Sequence, residues 1–217
     1  MVHFTLFGIP VYIRPSFWVV LAIFGGALSI SSVEDLIYPA LFVIAGFVAI
    51  LSHEMGHALV GRKLGGGQQT IVLELFGGLT SSHGMQLTRG GRALMILAGP
   101  MMTLLLGIIS LGLTWNIVAP VMTSYNLNFW DLAISPFTAA LISPKLYILS
   151  CLIMIGEWWT ILNLLPIYPL DGGQLIAQYI RSPRKVFMTG FITAILIGLL
   201  SFQLFHGYFI PIFMALF

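Results

Sequence analysis

Long uncharged runs dominate the chain, and they predict membrane-length helices rather than half-buried ones. Residues 39–61 open with twelve positions free of any charge, Pro39 to Ile50. Comparable apolar segments cover 16–30, 93–118, 146–165 and 186–205. About 20 such residues are needed to cross a hydrocarbon layer of about 30 Å as helix. Five helices are therefore expected. Pro39 suits a first turn, Gly65-Gly66-Gly67 stops the second helix, and Gly99-Pro100 should kink the third. Residues 119–144 carry Pro120, Asn126, Asn128, Asp131, Pro136 and Pro144 and read as a loop, partly re-entrant. The run Pro166 to Gly173 cannot be continuous helix, and helix is expected to resume over Gln174 to Ile180. The tail 207–217 is too short to span, so it packs on the bundle or makes a partial sixth segment. Two stretches follow a strand pattern instead: 4–13, broken by Gly8 and Pro10, and 70–80, where Gly77-Gly78 suits a hairpin turn or a bulge.

Composition turns this pattern into a class. Of 217 residues, 59% are hydrophobic and 7% charged, against about 25% charged in soluble domains. The expected fold is an all-α polytopic membrane protein of five to six transmembrane helices with a small membrane-associated β-hairpin or sheet, one domain over 1–217. The length leaves no room for a large soluble domain beside it. A cleaved signal peptide ending near Ala27-Leu28-Ser29 is the rival reading of the first segment, but the region before it is apolar and poor in positive charge. Cys151 is alone, so no internal disulfide forms. No basic run suggests nucleic acid. With the N-terminus in the cytoplasm and five alternating helices, eight of the nine basic residues fall inside: Arg14, Arg62, Lys63, Arg89, Arg92, Arg181, Arg184 and Lys185. Only Lys145 falls outside, a strong positive-inside bias. The expected location is the cell membrane, multi-pass.

Chemistry concentrates in helix two, at His53-Glu54-Met55-Gly56-His57. Positions i and i+4 share a helix face, so both imidazoles can bind one Zn²⁺ while the carboxylate reaches the water that such an ion holds. His53 is nine residues from Arg62, about 14 Å along a helix, inside the bilayer towards its cytoplasmic side. Ionisable groups there cost about 2.5–3.5 kcal/mol each on insertion scales. A polar helix contact without metal is the bland alternative. A catalytic zinc wants a third protein ligand. Glu74, Glu157 and Asp171 are the acidic residues near membrane depth. Asp171 is the best candidate, because irregular backbone at that depth must line a site or be buried. Its alternative is a helix N-cap before Gly172.

Together, His53-Glu54-x-x-His57 and Asn163-Leu164-Leu165-Pro166-Ile167-Tyr168-Pro169-Leu170-Asp171-Gly172-Gly173 resemble the site-2 protease family of intramembrane zinc metalloproteases, peptidase family M50. The resemblance extends to the Gly8-Ile9-Pro10 opening with Arg14-Pro15-Ser16, the Gly77-Gly78 hairpin and Ala98-Gly99-Pro100. It implies one zinc per chain on His53, His57 and Asp171, with Glu54 as base and Asn163 holding or polarising the substrate carbonyl. The residues read the same way: zinc-activated water is deprotonated by Glu54, and Asn163 donates to the oxyanion or else only bonds a neighbouring helix. The 70–80 hairpin could capture an unwound substrate through Leu73, Phe76, Gly77 and Gly78, or be a purely structural loop.

Two departures stand out. Relatives often carry Asn where this chain has Thr103, and the family gives no reason for Glu157, read here as protonated and hydrogen-bonded. His3, His83 and His206 read as interfacial or loop residues. Trp158 and Trp159 read as packing against helices or lipid. The expected function is an intramembrane zinc endopeptidase acting on transmembrane proteins, with the bilayer and a regulatory membrane partner of unknown identity as its other contacts. The alternatives are a catalytically silent binding protein on the same scaffold and a metal-ion carrier.

Overall fold

A tight hairpin begins the chain: β1 (Val2–Leu6) and β2 (Ile9–Ile13) pair antiparallel, with Leu6 opposite Ile9. Phe7 and Gly8 between them both have positive φ, as two-residue hairpin turns with the strands' own twist require. The computed structural model describes residues 1–75, 77–125, 136–180 and 182–204. After the hairpin come α1 (Pro15–Phe24), α2 (Ile37–Gly65), β3 (Gln68–Glu74), β4 (Gly77–His83) and α3 (Arg89–Tyr125). A short α4 (Pro136–Ala140), α5 (Pro144–Leu164), α6 (Asp171–Ala177) and α7 (Pro183–Leu204) complete it. Asp131, Arg181, His206 and the 207–217 tail lie outside the described residues. The chain divides into two compact units, Met1–Thr160 and Ile161–Phe217.

In the first unit the two strand-like stretches are not separate hairpins. They form one four-stranded sheet in the order β1-β2-β3-β4, with β2 and β3 parallel. A parallel pair needs a crossover, and here α1 and α2 supply it. Pro10 is tolerated on β2, an inner strand, because pairing with β3 begins only at Val11, opposite Ile71. One face of the sheet buries Ile9, Val11, Ile13, Ile71 and Leu73 against Ile50, Met55 and Ala58 of α2. Gly77 and Gly78 are the first residues of β4 rather than a turn: Gly77 pairs with Glu74.

Helix α1 is shorter than its apolar run. It stops at Gly25-Gly26, where Gly26 has φ 86°, so its 10 residues cover about 15 Å, half a bilayer core. It runs antiparallel to α2: Gly25 lies against Phe42, and a Cβ on Gly46 would meet Leu21 at 2.7 Å. The start of α1 is thus level with the middle of α2, near Phe47 and Ile50. Beyond that level the sheet takes over, held at its far end by Arg62, whose Nη1 donates to Phe7 O at 2.8 Å. One half of α2 is lined by a helix and the other by strands.

Among the described residues three helices are long and apolar enough to cross a membrane, Glu34–Gly65, Arg89–Ile117 and Pro144–Leu164. Helix α3 runs through Gly99-Pro100 without a break. It meets α2 so closely that a Cβ on Gly56 would overlap the Ala98 carbonyl. It meets α5 at Gly156, whose Cβ would stand 2.9 Å from Thr103 O.

In the second unit, α5 ends in a compact loop, with Ile167 N donating to Leu165 O and Leu170 N to Ile167 O, both at 2.8 Å. The Tyr168–Pro169 peptide is cis. Gly172 and Gly173 open α6 directly against that loop: a Cβ on either would overlap the backbone of Leu164 or Ile167. Helix therefore resumes at Asp171, three residues earlier than Gln174.

Because the atom opposite Gly56 belongs to backbone, the substitution Gly56→Ala forces α2 and α3 apart. It is expected to cost about 1–3 kcal/mol, seen as a lower melting temperature of the purified protein in detergent. A wild-type melting temperature would show that the contact yields.

Candidate metal centre

Helix α2 buries His53, Glu54 and His57, and each meets a group from another element. His57 Nδ1 lies 2.8 Å from Met95 O. A carbonyl only accepts, so Nδ1 carries the proton and Nε2 is the basic nitrogen. Pro100 has no N–H for the carbonyl four residues back, that of Ile96, the neighbour of Met95. Behind His53, Nδ1 is 3.5 Å from Thr103 Oγ1. Thr103 is wholly buried, lies 3.0 Å from Thr160 Oγ1 and within hydrogen-bond distance of Pro100 O. Thr103, one of the two departures in the sequence, thus backs a histidine.

The two Nε2 atoms are 3.1 Å apart, with rings at 81°. Two nitrogen ligands on one tetrahedral zinc would stand about 3.3 Å apart, so the pair already has that spacing. Ligand-type atoms of His53, His57 and Asp171 all lie within 4.8 Å of one another, a group able to hold one metal ion. All three residues are buried. Asp171 is the first residue of its helix, whose N-cap is Leu170. Gly99 completes the cradle: a Cβ there would overlap the His57 imidazole at Nε2. The donor set, the tautomer of His57 and this clearance fit a zinc ion.

Glu54 turns to the sheet. Thr80 Oγ1 donates to Glu54 Oε2 at 2.7 Å and lies 3.1 Å from Glu54 O. Gly78 rests on the same carboxylate, and a Cβ there would overlap it. Gly77 stands against Trp159, whose ring is edge-on to His53 at 6.4 Å. Asn163 is buried in the last turn of α5, one turn beyond Trp159 and Thr160.

Other expected residues are placed differently. Leu73 is wholly buried in the core under the sheet, so it supports the strand and offers no surface. Phe76 lies outside the described residues. Glu74 pairs with Arg14, Nη1 to Oε2 at 2.9 Å. Glu157 is exposed on α5 and makes no hydrogen bond or ion pair among the described residues, which corrects the expectation of a buried, bonded carboxyl. His83 is exposed at the far end of β4 and His3 stacks on Tyr12. Thr80, Trp159, Gly99 and Met95 O were not anticipated. The one available signal was strand alternation, which puts residues 78 and 80 on one face.

The sequence model of Peptidase family M50 matches residues 41–205. The chain belongs to Peptidase family M50. Among curated M50-like relatives, it is 29% identical over 174 residues to zinc metalloprotease MJ0392 of Methanocaldococcus jannaschii, covering 80% of this chain and 43% of that protein. It is 28% identical over 188 residues to the putative zinc metalloprotease sll0528 of Synechocystis, covering 81% and 43%. The chain thus matches less than half the length of these relatives. The fold is that of the solved site-2 protease from Methanocaldococcus jannaschii, with a TM-score of 0.60 and 23% identity over 99% of this chain and 90% of that one.

For this M50 chain, Gly99→Ala is expected to lose zinc. The backbone of α3 cannot yield as a side chain can, so the new methyl displaces the His57 ring. Metal analysis after purification should give well under one zinc per chain, and a full complement would contradict the cradle.

Proposed function

We propose that this chain is an intramembrane zinc endopeptidase that hydrolyses peptide bonds in or near the transmembrane segments of membrane proteins. The observation that carries the reading is the grouping of His53, His57 and Asp171, with Glu54 next in sequence, midway along a helix of membrane length. Membership of M50 supports it.

His53, His57 and Asp171 are the ligands in this reading. A zinc ion bound there would polarise a carbonyl and acidify water towards neutral pH. Glu54 accepts the proton of the attacking water and returns it to the leaving amine. Asn163 donates its amide N–H to the carbonyl oxygen as negative charge develops. Trp159 and Gly77 close off the side of His53 that faces the sheet.

A peptide bond within a helix is hydrogen-bonded and shielded, so the substrate unwinds before attack. Strand β4 is an edge of the sheet, and edge strands accept a further strand by backbone pairing. We assign the contacts to Gly77 and Gly78 at the start of β4, with Phe76 beside them and Leu73 supporting from the core. In this reading the unwound segment arrives next to Glu54, because Gly78 rests on its carboxylate.

The protein is multi-pass in the cell membrane with five to six crossings, its N-terminus cytoplasmic and its site towards the cytoplasmic face. Of the eight basic residues expected on the cytoplasmic side, Arg62, Lys63, Arg89, Arg92, Arg181, Arg184 and Lys185 then lie inside and Arg14 does not reach that face, while Lys145 lies outside. Arg14 is level with the middle of α2, and its ion pair with Glu74 offsets its charge at that depth. The partners are a transmembrane substrate, the bilayer and a regulatory membrane protein.

Glu54→Gln should keep one zinc per chain and lose at least about 100-fold in cleavage of a transmembrane reporter, the scale of general-base catalysis. His53→Ala and Asp171→Ala should lose zinc and cleavage together. Undiminished cleavage by the Glu54→Gln protein would sink the reading.

A further inference from the structure

Strand β4 turns Gly78, Thr80 and Ser82 towards one face by alternation. At membrane depth apolar residues would be the cheap choice for that face. Ser82 is accounted for by its hydrogen bond to Gln69 across the β3–β4 pair. Thr80 has no such local partner. Its hydroxyl instead reaches α2, 26 residues away in sequence, at 2.7 Å from Glu54 Oε2 and 3.1 Å from Glu54 O. A threonine hydroxyl has one proton to donate. The shorter distance directs it to the carboxylate. That bond ties down Oε2. The second oxygen, Oε1, lies under Gly78, where no side chain covers it: a Cβ there would come within 2.6 Å.

From this geometry we infer that Thr80 is the positioning residue of the general base, resting on the reading of Glu54 given above. Its hydroxyl fixes the carboxylate through Oε2, so that Oε1 is the oxygen presented to the reacting water. The strand proposed to bind substrate is therefore the strand that orients the base. The role belongs to the hydroxyl and not to the methyl group, and this separates it from a packing role. Valine keeps the shape of threonine and favours strands equally well, but it cannot donate. Serine donates, but it fills less space and suits a strand less.

The test compares Thr80→Val with Thr80→Ser in the full chain, using cleavage of a transmembrane reporter, zinc content and thermal melting in detergent. Thr80→Val should keep one zinc and a wild-type KM while kcat falls at least about tenfold, because a misdirected base affects the transition state and not substrate binding. Thr80→Ser should recover most of that loss. A packing role gives the reverse order, with Val near wild type and Ser impaired, and that result overturns the proposal.

A second arm does not depend on catalysis. In a double-mutant cycle, Thr80→Val should lower the melting temperature in the wild-type background and leave it unchanged when Glu54 is already Ala. Equal shifts in both backgrounds overturn the contact. If the unmodified chain does not cleave while the cycle shows coupling, the contact stands and the peptidase reading falls.

Discussion

Three ionisable side chains sit together near the middle of a helix whose preceding turns are apolar, and the unit around them is built to keep them satisfied. In the membrane setting proposed above no water is at hand, and a buried polar group without a partner costs several kilocalories per mole. Each of the three is met from a different direction. Met95 O on α3 accepts a hydrogen bond from His57 Nδ1, Thr103 stands behind His53, and Thr80 on β4 holds Glu54. The approaches are close because the backbone is bare at the points of contact. Gly99 faces His57, Gly78 faces Glu54, and Gly56 lets α2 and α3 touch. A side chain at any of these would separate the site from the element that serves it.

The sheet makes the third approach possible. Strands within a membrane are tolerated only when their backbone groups are paired or buried in protein. Here β2 and β3 are paired on both sides, and their apolar face covers α2 from Ile50 to Ala58. The parallel pairing of β2 with β3 ties the beginning of the chain to the segment after α2, so the helix carrying His53 is enclosed by residues from both sides of it in sequence.

Sequence alone made the centre legible because its signals are local. An i, i+4 histidine pair and an adjacent carboxylate need only the helix, and Asp171 stood out because few acidic residues lie at that depth. The helices were readable for the same reason, through unbroken apolar runs. What escaped depends on distant contacts. The run 16–30 stays apolar past Gly25, so the early end of α1 leaves no polar mark. The merging of two strand pairs joins residues 11–13 to 71–73, a pairing that neither segment announces. Gly77-Gly78 resembles a turn, yet those glycines give clearance for Trp159 and Glu54. Thr103 and Thr80 are ordinary residues whose meaning lies in what they touch. Glu157 looked like a buried functional carboxyl because its neighbours are apolar, and hydropathy does not say which face of a helix a side chain occupies.

The shortness of α1 has a consequence for the surrounding lipid. Its ten residues leave Val19, Ile23 and Phe24 exposed, an apolar belt of about 15 Å beside a hydrocarbon layer about twice as thick. Such hydrophobic mismatch is relieved by local thinning of the bilayer, at a modest cost per ångström. In the membrane setting proposed above, acyl chains next to α1 would dip towards the sheet. Under the proposed function, that depression would bring the aqueous boundary nearer to the level of His53 and shorten the path of the water to be consumed there.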